Sequence, residues 1–280
     1  MTCWRRCSSD CRPIRSGRRH HGPLGLRPGW SAANVAAIGA ELGATTRFVG
    51  QVGDDQIGRT LVDDMAHRGV QCQVEHRGGT GVVVTMIGEG GRSRMIDRGA
   101  ARRLPRIDTR VLDDATQLYV AASAFTEDPL AGAIDQLLGE TTDRRLPVTI
   151  GGPTLAELAS IGAPAFLALC RTLRPAHVIL DREEHSALGV RPREGLDGAS
   201  VTVVTNGRRP TLVITAEDDR AVEVPPRDAP RDRTGVGDGF IAGFLQARGR
   251  GADPVAATHA GHRAAGRVLA SLGPTVGVDP

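Results

Sequence analysis

The 280-residue chain contains no lysine, so arginine and histidine are its only basic side chains. A P-loop for nucleotide phosphates requires a lysine after its glycines, and Schiff-base catalysis requires a lysine amine. The absence of lysine therefore excludes both classes of site. The formal net charge is only +3, which gives no overall electrostatic basis for binding nucleic acid.

The sequence also lacks long apolar runs and paired cysteines. No apolar run approaches the roughly 20 residues of a membrane-spanning helix, and the N-terminal segment lacks the apolar block of a secretory signal. Cys3, Cys7 and Cys11 are four residues apart, but no Cys/His pair follows at a ligand-like distance. Cys72 and Cys170 are isolated, as is usual for reduced thiols. These features predict a cytoplasmic protein that binds neither nucleic acid nor a membrane.

Regular patterning begins at Ser31 and alternates between helices and strands. The stretch "SAANVAAIGAELG" predicts a helix with Ser31 as its N-cap and Gly43 at its end. Helical patterns at residues 129–139 and 155–173 separate strand-like stretches, among them "QLYVAA", "LPVTI" and "HVILD". Strands that alternate with helices favour an α/β fold in which helices cover both faces of a parallel sheet.

One segment, "GVVVTMIGEGGRSRMID", does not fit this alternation. Two β-rich runs flank a Gly-Glu-Gly-Gly turn, which predicts a hairpin over about residues 80–98. We expect this hairpin to form a small lid over one edge of the sheet, where it could close a substrate site. Its apolar face could pair with a second copy of the chain, which predicts a homodimer formed through the lid.

The stretch "RDRTGVGDGFIAGF", Arg231 to Phe244, joins a glycine-rich turn to a helical pattern that begins near Val236. Glycines allow sharp turns and close approach to the backbone, and free N–H groups at a helix start bind anions. The glycines alternate and follow proline-rich residues, which excludes a Rossmann fingerprint because that motif follows a strand. Asp238 lies in the first turn, where a carboxylate also complements the helix dipole.

Phosphoryl transfer to an alcohol is one chemistry that this motif supports. The reaction needs donors for the charge on the transferred group and a base for the hydroxyl proton. The backbone N–H groups of residues 235–238 could be the donors, and the Asp238 carboxylate could be the base. The spacing alone leaves this function and a purely structural role for Asp238 both open.

The glycine-rich motif resembles the C-terminal signature D-T-x-G-A-G-D-x-F of the ribokinase-like (PfkB) carbohydrate kinases. The stretches "GWSAANVAAIGAELG" and "FVGQVGDDQIGRTLVDDMAHRGV" are similar to the family's Gly-Gly-x-x-x-Asn and G-x-V-G-x-D-x-x-G segments, in the same order. The resemblance covers about residues 29–276. It implies a three-layer α/β/α sandwich with a mostly parallel sheet and a β lid, with the kinase domain over residues 28–280.

This resemblance implies roles for the residues that match the family's motifs. Asp238 is implied as the catalytic base, and the substrate site as Asp238 with Gly29 and Asn34. The anion hole for the γ-phosphoryl group is implied to consist of the amides of Gly235, Val236 and Gly237. The implied nucleotide site contains Gly235 and Gly237 together with Thr205 and Gly207.

The resemblance also implies ATP and Mg²⁺ as cofactors. The stretch "LDREEHSALG" stands where the family has Asn-x-x-Glu, whose acid organises Mg²⁺ with its waters; Glu184 fits this acid, and Asp181 replaces the asparagine. Judged by the residues alone, acids at a helix start complement the dipole. Asp232 and Thr234 match positions that in some members help to bind a monovalent cation such as K⁺.

Three features depart from the family's pattern. Trp30 replaces the second glycine of the substrate motif, and "TNGRRP" lacks the second glycine of the nucleotide loop. Residues 1–27 contain no strand that ends in the family's substrate-binding aspartate, so we expect a disordered or non-homologous leader, such as the product of a misassigned start. Two functions stay open: ATP-dependent phosphorylation of a hydroxyl of a sugar, sugar acid or nucleoside, and a pseudokinase that binds its ligand with impaired catalysis.

Overall fold

The computed structural model describes residues 29–88, 91–227, 233–271 and 273–276. The predictions for residues 1–27 and for Asp232 therefore lie outside the described residues. The helices are α1 (Ser31–Glu41), α2 (Gln56–His67), α3 (Leu130–Asp143), α4 (Leu155–Ile161), α5 (Ala163–Leu173), α6 (Arg182–Ala187), α7 (Val236–Gly249) and α8 (Pro254–Ala270). The strands are β1 (Thr46–Val52), β2 (Val70–His76), β3 (Val82–Gly88), β4 (Gly91–Asp97), β5 (Leu118–Ala121), β6 (Val148–Gly151), β7 (His177–Asp181), β8 (Val201–Asn206), β9 (Arg209–Ile214) and β10 (Asp219–Val222).

The largest sheet has the strand order β10-β9-β8-β7-β6-β5. Strands β5 to β8 run parallel, and β9 and β10 continue the sheet in antiparallel pairs. Every residue of β6 is buried, as is typical of a parallel strand covered on both faces. The mostly parallel sheet predicted from the alternation of strands and helices is confirmed.

Helices pack on both faces of this sheet. Along β7, Val178 and Leu180 belong to a core that includes α3, α4 and α5. Ile179, which points to the opposite face because strand side chains alternate, packs in a second core with α1, α7 and α8. The protein is therefore a three-layer α/β/α sandwich, as the resemblance implies.

Strands β1 and β2 form a separate parallel pair. All residues of β1 and all residues of β5 line one cavity of about 700 Å³. Because alternate side chains of a strand point to opposite faces, such continuous lining means that the hydrogen-bonding edges of the two strands face the cavity. Within the described ranges, β1 pairs only with β2 and β5 only with β6, so the cavity interrupts the sheet between them.

The hairpin predicted near residues 80–98 consists of β3 and β4, which pair antiparallel from Val82↔Asp97 to Gly88↔Gly91. Its base is tied to α2 by Asp55, the N-cap of that helix. The Asp55 carboxylate accepts hydrogen bonds from Gly58 N at 2.8 Å, Thr80 Oγ1 at 2.6 Å and Thr80 N at 2.8 Å. Asp55, the second aspartate of the "GQVGDDQIG" stretch, therefore has a structural role: it fixes the start of the hairpin.

Two details of the predicted helices are wrong. The N-cap of α1 is Trp30 rather than Ser31, and Ser31 is the first helical residue. The pattern at residues 155–173 forms two helices, because Gly162 has φ 84° and ends α4 before α5 begins. Among the described residues, no single helix is long and apolar enough to cross a bilayer; α4 and α5 meet these criteria only as a pair bent by 84°.

Candidate active site

The predicted site residues lie where the parallel strands end and where α1 and α7 begin. In α/β sheets, ligands bind outside the carboxyl ends of the strands. Asp181 at the end of β7 is in register with Thr205 near the end of β8. The start of α7 contacts the start of α1 through side-chain hydrogen bonds from Ser31 and Asn34 to Asp238. Elements that are far apart in the sequence therefore bring polar groups together at the carboxyl ends of the parallel strands.

Helix α7 begins where the sequence predicts, at Val236, directly after Gly235. Gly235 has φ 76°, a left-handed conformation that glycine adopts without steric cost. A Cβ at this position would also lie 2.5 Å from Pro274 Cβ. Glycine is therefore required here for two separate reasons, the backbone conformation and the approach of Pro274.

The first turn of α7 presents backbone amides at an open surface. In any α-helix the first N–H groups lack intrahelical partners and carry the positive end of the dipole. Gly237 is exposed, and a Cβ added to it would meet no atom of the described residues within 4 Å. Among the described residues, the partner of Val236 N outside the helix is Arg233 O, at a long 3.5 Å. This helix start can therefore accept an anion at the amides that the sequence predicts.

The Asp238 carboxylate points towards α1 and is held at both oxygens. Ser31 Oγ donates to Asp238 Oδ1 at 2.6 Å, and Asn34 Nδ2 donates to Asp238 Oδ2 at 2.7 Å. Burial raises the pKa of Asp238, and the two hydrogen bonds oppose that shift. The structure thus joins the predicted base to Asn34, one of the predicted substrate residues.

Two residues of this cluster are absent from the predicted site. The sequence predicts a helix cap at Ser31, and Tyr119 lies in the strand-like stretch "QLYVAA". Ser31 Oγ and Tyr119 Oη lie 2.7 Å apart, so the cluster extends from α7 through α1 to β5. No spacing in the sequence indicates this contact, because the two residues are 88 positions apart.

The predicted magnesium ligands Asp181 and Glu184 bind each other's backbone. Asp181 N donates to Glu184 Oε2 at 2.7 Å, and Glu184 N donates to Asp181 Oδ1 at 2.8 Å, which forms a capping box at the start of α6. Burial raises the pKa of Glu184 to about 7. Of the described residues, no group of three or more His, Cys, Asp or Glu side chains forms a ready metal cage.

These two carboxylates are nevertheless compatible with Mg²⁺. That ion keeps several waters and is held through one or two carboxylates together with phosphate oxygens rather than by a protein cage. Each capping bond occupies one oxygen of its carboxylate. Oxygen donors at the carboxyl end of β7, beside Thr205 of β8, therefore suit a hydrated magnesium ion.

The predicted nucleotide residues Thr205 and Gly207 lie at the β8–β9 connection. Thr205 Oγ1 donates to Leu180 O at 3.4 Å. Gly207 has φ 62° in the tight turn between the two strands, which explains this glycine by the turn alone. Thr234 lies in the turn directly before α7 and is partly buried.

Gly29 and Trp30 line the large cavity, close to Arg98 at the end of the hairpin. Trp30 has φ 71° and ψ 146°, a conformation that is normally reserved for glycine. The Arg98 guanidinium lies 5.2 Å from the centre of the Trp30 ring, within the range of a cation–π contact. Arg98 also donates to Glu157 Oε1 at 3.3 Å. Trp30, which replaces a glycine of the substrate motif, therefore keeps a backbone conformation typical of glycine and adds an aromatic ring.

The predicted residues form two groups, one around Asp238 and one around Asp181 and Thr205. Burial raises the pKa of Tyr119, and the charges of Asp238 in the first group, of Glu157, and of Glu184 in the second group raise it further. A Cβ at Gly152 would lie 2.7 Å from Glu184 Oε2, so Glu184 packs directly against the loop after β6. The two groups therefore border the same region at the end of the sheet.

Comparisons of the chain with known families, sequences and solved structures all find kinases. The sequence pattern of the pfkB family carbohydrate kinases matches residues 20–279. A ribokinase of Bacillus subtilis (strain 168) is 27% identical over 262 residues, which cover 88% of this chain and 82% of the relative. The structure of adenosine kinase from Sinorhizobium meliloti superposes with a TM-score of 0.81 at 24% identity, covering 91% of this chain and 81% of that one. A putative ribokinase II from E. coli, solved with ATP and Mg²⁺, superposes with a TM-score of 0.82 at 17% identity, covering 96% and 91%.

Proposed function

The chain belongs to the pfkB family of carbohydrate kinases, and from this premise we propose that it transfers the γ-phosphoryl group of ATP to a hydroxyl of a sugar, sugar acid or nucleoside. Membership makes the protein a phosphotransferase of sugars or nucleosides. The proposal adds the residues that act. It also adds that this chain is catalytically active rather than a pseudokinase. Support for the acceptor class comes from the relatives' names, a ribokinase and an adenosine kinase.

The observation that carries the proposal is the position of Asp238. Its carboxylate sits at the amide-rich start of α7, and Ser31 and Asn34 each donate one hydrogen bond to it. A carboxylate has about four acceptor sites on its two oxygens, so both oxygens keep room for a substrate hydroxyl. Asp238 therefore accepts the proton of that hydroxyl as the oxygen attacks the phosphoryl group.

The charge of the transferred group is stabilised by the amides of Gly235, Val236 and Gly237. Preorganised backbone donors at a helix start favour charge that develops in the transition state, because they need no reorganisation. The open space beside Gly237 leaves room for the phosphoryl group. Thr205 and Gly207 contact the nucleotide phosphates from the β8–β9 turn.

Glu184 and Asp181 would hold Mg²⁺ through water, and the ion would neutralise charge on the ATP phosphates. The structure solved with ATP and Mg²⁺ supports these two cofactors. Thr234 contributes to a monovalent cation site, such as one for K⁺. Asp232, the second residue proposed for that site, lies outside the described residues.

Gly29 and Asn34 contact hydroxyl groups of the acceptor. The hairpin β3–β4 closes over the acceptor as a lid. Both belong to a kinase domain of residues 28–280. The hairpin exposes Met95 by 68% and Ile96 by 53%. Such exposed apolar side chains support a homodimer through the lid. Residues 1–27 are proposed as a separate leader, and the protein acts in the cytoplasm on a small molecule, without nucleic acid or membrane.

The alternative function is a pseudokinase with the same fold. Trp30 favours it, because an aromatic ring stands where the family's glycine gives access to the substrate. The retained Asp238 and its amides favour catalysis. Isothermal titration calorimetry that detects MgATP binding, combined with no phosphoryl transfer to any acceptor, would decide for the pseudokinase.

The proposal is tested by an ADP-release assay over a panel of sugars, sugar acids and nucleosides. We expect turnover with at least one acceptor, and a loss of about 10²–10⁴-fold in Asp238→Asn, the range for removal of a general base. The matched control is Glu183→Gln, an exposed carboxylate on α6, which should leave the rate unchanged. Equal rates in wild type and Asp238→Asn would overturn the assignment of the base.

A further inference from the structure

A directed chain of hydrogen bonds ends on the Asp238 carboxylate. Ser31 has a single hydroxyl proton, and it donates that proton to Asp238 Oδ1 at 2.6 Å. In the 2.7 Å contact between Ser31 Oγ and Tyr119 Oη, the tyrosine must therefore be the donor. The chain runs from the Tyr119 O–H to Ser31 Oγ and from the Ser31 O–H to Asp238. Each donation polarises the next, so the bond to the carboxylate is strengthened.

The three residues lie on three elements whose positions are fixed by packing. Tyr119 is on β5 within the six-stranded sheet and packs against the core that includes α1 and α7. Ser31 begins α1, and Asp238 lies in the first turn of α7. Any side chain at Gly151, at the end of the neighbouring strand β6, would overlap the Tyr119 hydroxyl. The absence of a side chain at Gly151 thus leaves space for that hydroxyl.

The electrostatics of the cluster favour this direction of donation. Burial raises the pKa of Asp238, which works against the ionised form that a base requires, whereas the bond from Ser31 lowers it. Burial and the Asp238 charge both raise the pKa of Tyr119, so the tyrosine stays protonated and remains a donor at neutral pH. Tyr119 is also the only tyrosine of the chain.

We propose that Tyr119 is a positioning residue for the Asp238 carboxylate and that it acts through the Ser31 hydroxyl. The inference rests on the proposed role of Asp238 as the base. Tyr119 need not touch the substrate; it fixes the orientation of the Ser31 hydroxyl, which in turn fixes Asp238 Oδ1. A tyrosine that only fills the core would support folding without affecting the state of the carboxylate.

Kinetics of two conservative variants test this role. Tyr119→Phe keeps the ring and removes the hydroxyl, so we expect kcat to fall by up to about 10-fold, the size of one hydrogen bond between neutral groups. KM for the acceptor should change little, and the acid limb of the kcat–pH profile should move to higher pH. Ser31→Ala should have at least as large an effect, and Ser31→Thr, which keeps the hydroxyl, should restore most of the rate.

The double variant distinguishes action through Ser31 from an independent effect. If Tyr119 acts only through Ser31, then adding Tyr119→Phe to Ser31→Ala should not lower kcat further. Multiplication of the two single effects would overturn the proposal, and so would a Tyr119→Phe variant with an unchanged pH profile.

A second measurement does not depend on turnover. The melting temperature of wild type and Tyr119→Phe is compared at pH 5 and pH 8, in the normal chain and in Asp238→Asn. We expect Tyr119→Phe to be more destabilising at pH 8 than at pH 5, because more of Asp238 is ionised at the higher pH, and this difference to shrink in Asp238→Asn. Besides Asp238, the charged groups around Tyr119 among the described residues are Glu157, with its partner Arg98, and Glu184. These groups are present in both backgrounds, so the comparison between the backgrounds isolates the effect of Asp238.

The outcomes separate the two proposals. If wild type phosphorylates no acceptor but the pH-dependent difference is seen, the proposed function fails and the positioning role stands. If Tyr119→Phe lowers the melting temperature equally at both pH values and in both backgrounds, the tyrosine only packs, and the positioning role is overturned whatever the activity.

Discussion

Asn34 Nδ2 donates to Asp238 Oδ2 at 2.7 Å and so joins the first turns of α1 and α7, although the residues are 204 positions apart. Asn34 is 6% exposed, and its Oδ1 has no partner among the described residues. A buried amide oxygen without a partner is costly unless a ligand or water pairs with it. The contact therefore links the proposed base to the amide oxygen that we propose pairs with a substrate hydroxyl.

Replacement of Asn34 by alanine should impair both roles. It removes a hydrogen bond to a charged group, which is worth about 1.5–3 kcal/mol, so kcat/KM should fall roughly 10- to 100-fold. KM for the acceptor should rise as well, because the Oδ1 acceptor is lost. Steady-state kinetics check this, and an unchanged KM would mean that Asn34 contacts only Asp238.

Two substitutions of Trp30 separate its backbone from its ring. Alanine and glycine both remove the ring and its contact with Arg98, but only glycine adopts φ 71° without strain. The strain of such a residue costs about 1–3 kcal/mol. We expect Trp30→Gly to be more stable than Trp30→Ala by that amount in urea unfolding. An alanine variant as stable as the glycine variant would argue against stored strain.

Two glycines of the same motif should respond in opposite ways. Gly235→Ala forces a Cβ to within 2.5 Å of Pro274 Cβ at φ 76°, so it should lower the free energy of unfolding by more than about 1 kcal/mol. The new Cβ of Gly237→Ala meets no atom within 4 Å in the part of the chain that the structure describes. This variant should not destabilise the helix, and it should raise KM for ATP by obstructing the amides. Thermal unfolding and kinetics measure the two effects. Equal stability of both variants would contradict this difference.

The magnesium requirement should depend on Glu184 and not on its neighbour. Glu184→Gln can still cap α6, because glutamine also accepts a hydrogen bond at this position, so stability should change little. We expect the Mg²⁺ concentration for half-maximal rate to rise, because a carboxylate charge is lost. Glu183→Gln, at an exposed position of the same helix, is the control. Identical Mg²⁺ dependence in both variants would remove Glu184 from the metal site.

Acid should destabilise the protein through His177. Arg248 Nε donates to His177 Nε2 at 3.0 Å, so the ring is neutral and its Nδ1 donates to Thr149 Oγ1 at 2.8 Å. Burial, with a smaller effect of Arg248, lowers the pKa of His177 from its ordinary 6.5 to about 4. Between these values the unfolded chain binds more protons, so stability is complete above pH 6.5 and is lost as the pH falls towards 4.

The matched variant is His177→Gln, which keeps a hydrogen-bonding amide but does not titrate. The pKa difference corresponds to about 3 kcal/mol, which sets the scale of the expected loss in wild type relative to the variant. Urea unfolding from pH 7.5 to 4 measures it. The comparison is needed because Glu184, with its pKa raised to about 7, contributes a pH dependence of the opposite sign. Parallel curves for the two proteins would contradict the assignment.

The sequence by itself determined the layered α/β fold and the start of α7. Both depend on local patterns: apolar periodicity defines helices and strands, and the glycines before Asp238 fix a turn whose conformation few other residues adopt. The capping box of Asp181 and Glu184 is also local, with the acid three residues after the cap.

Only the tertiary structure decided which side chains meet Asp238. The contacts of Ser31 with Tyr119 and with Asp238 span 88 and 207 positions, and no spacing rule connects residues so far apart. Serine is a residue type typical of a helix cap, yet Trp30 occupies the cap position of α1. The Ser31 hydroxyl instead contacts Tyr119 of β5 and Asp238 of α7. Such contacts depend on how whole elements pack, because packing sets the distances between side chains that chain neighbours do not constrain.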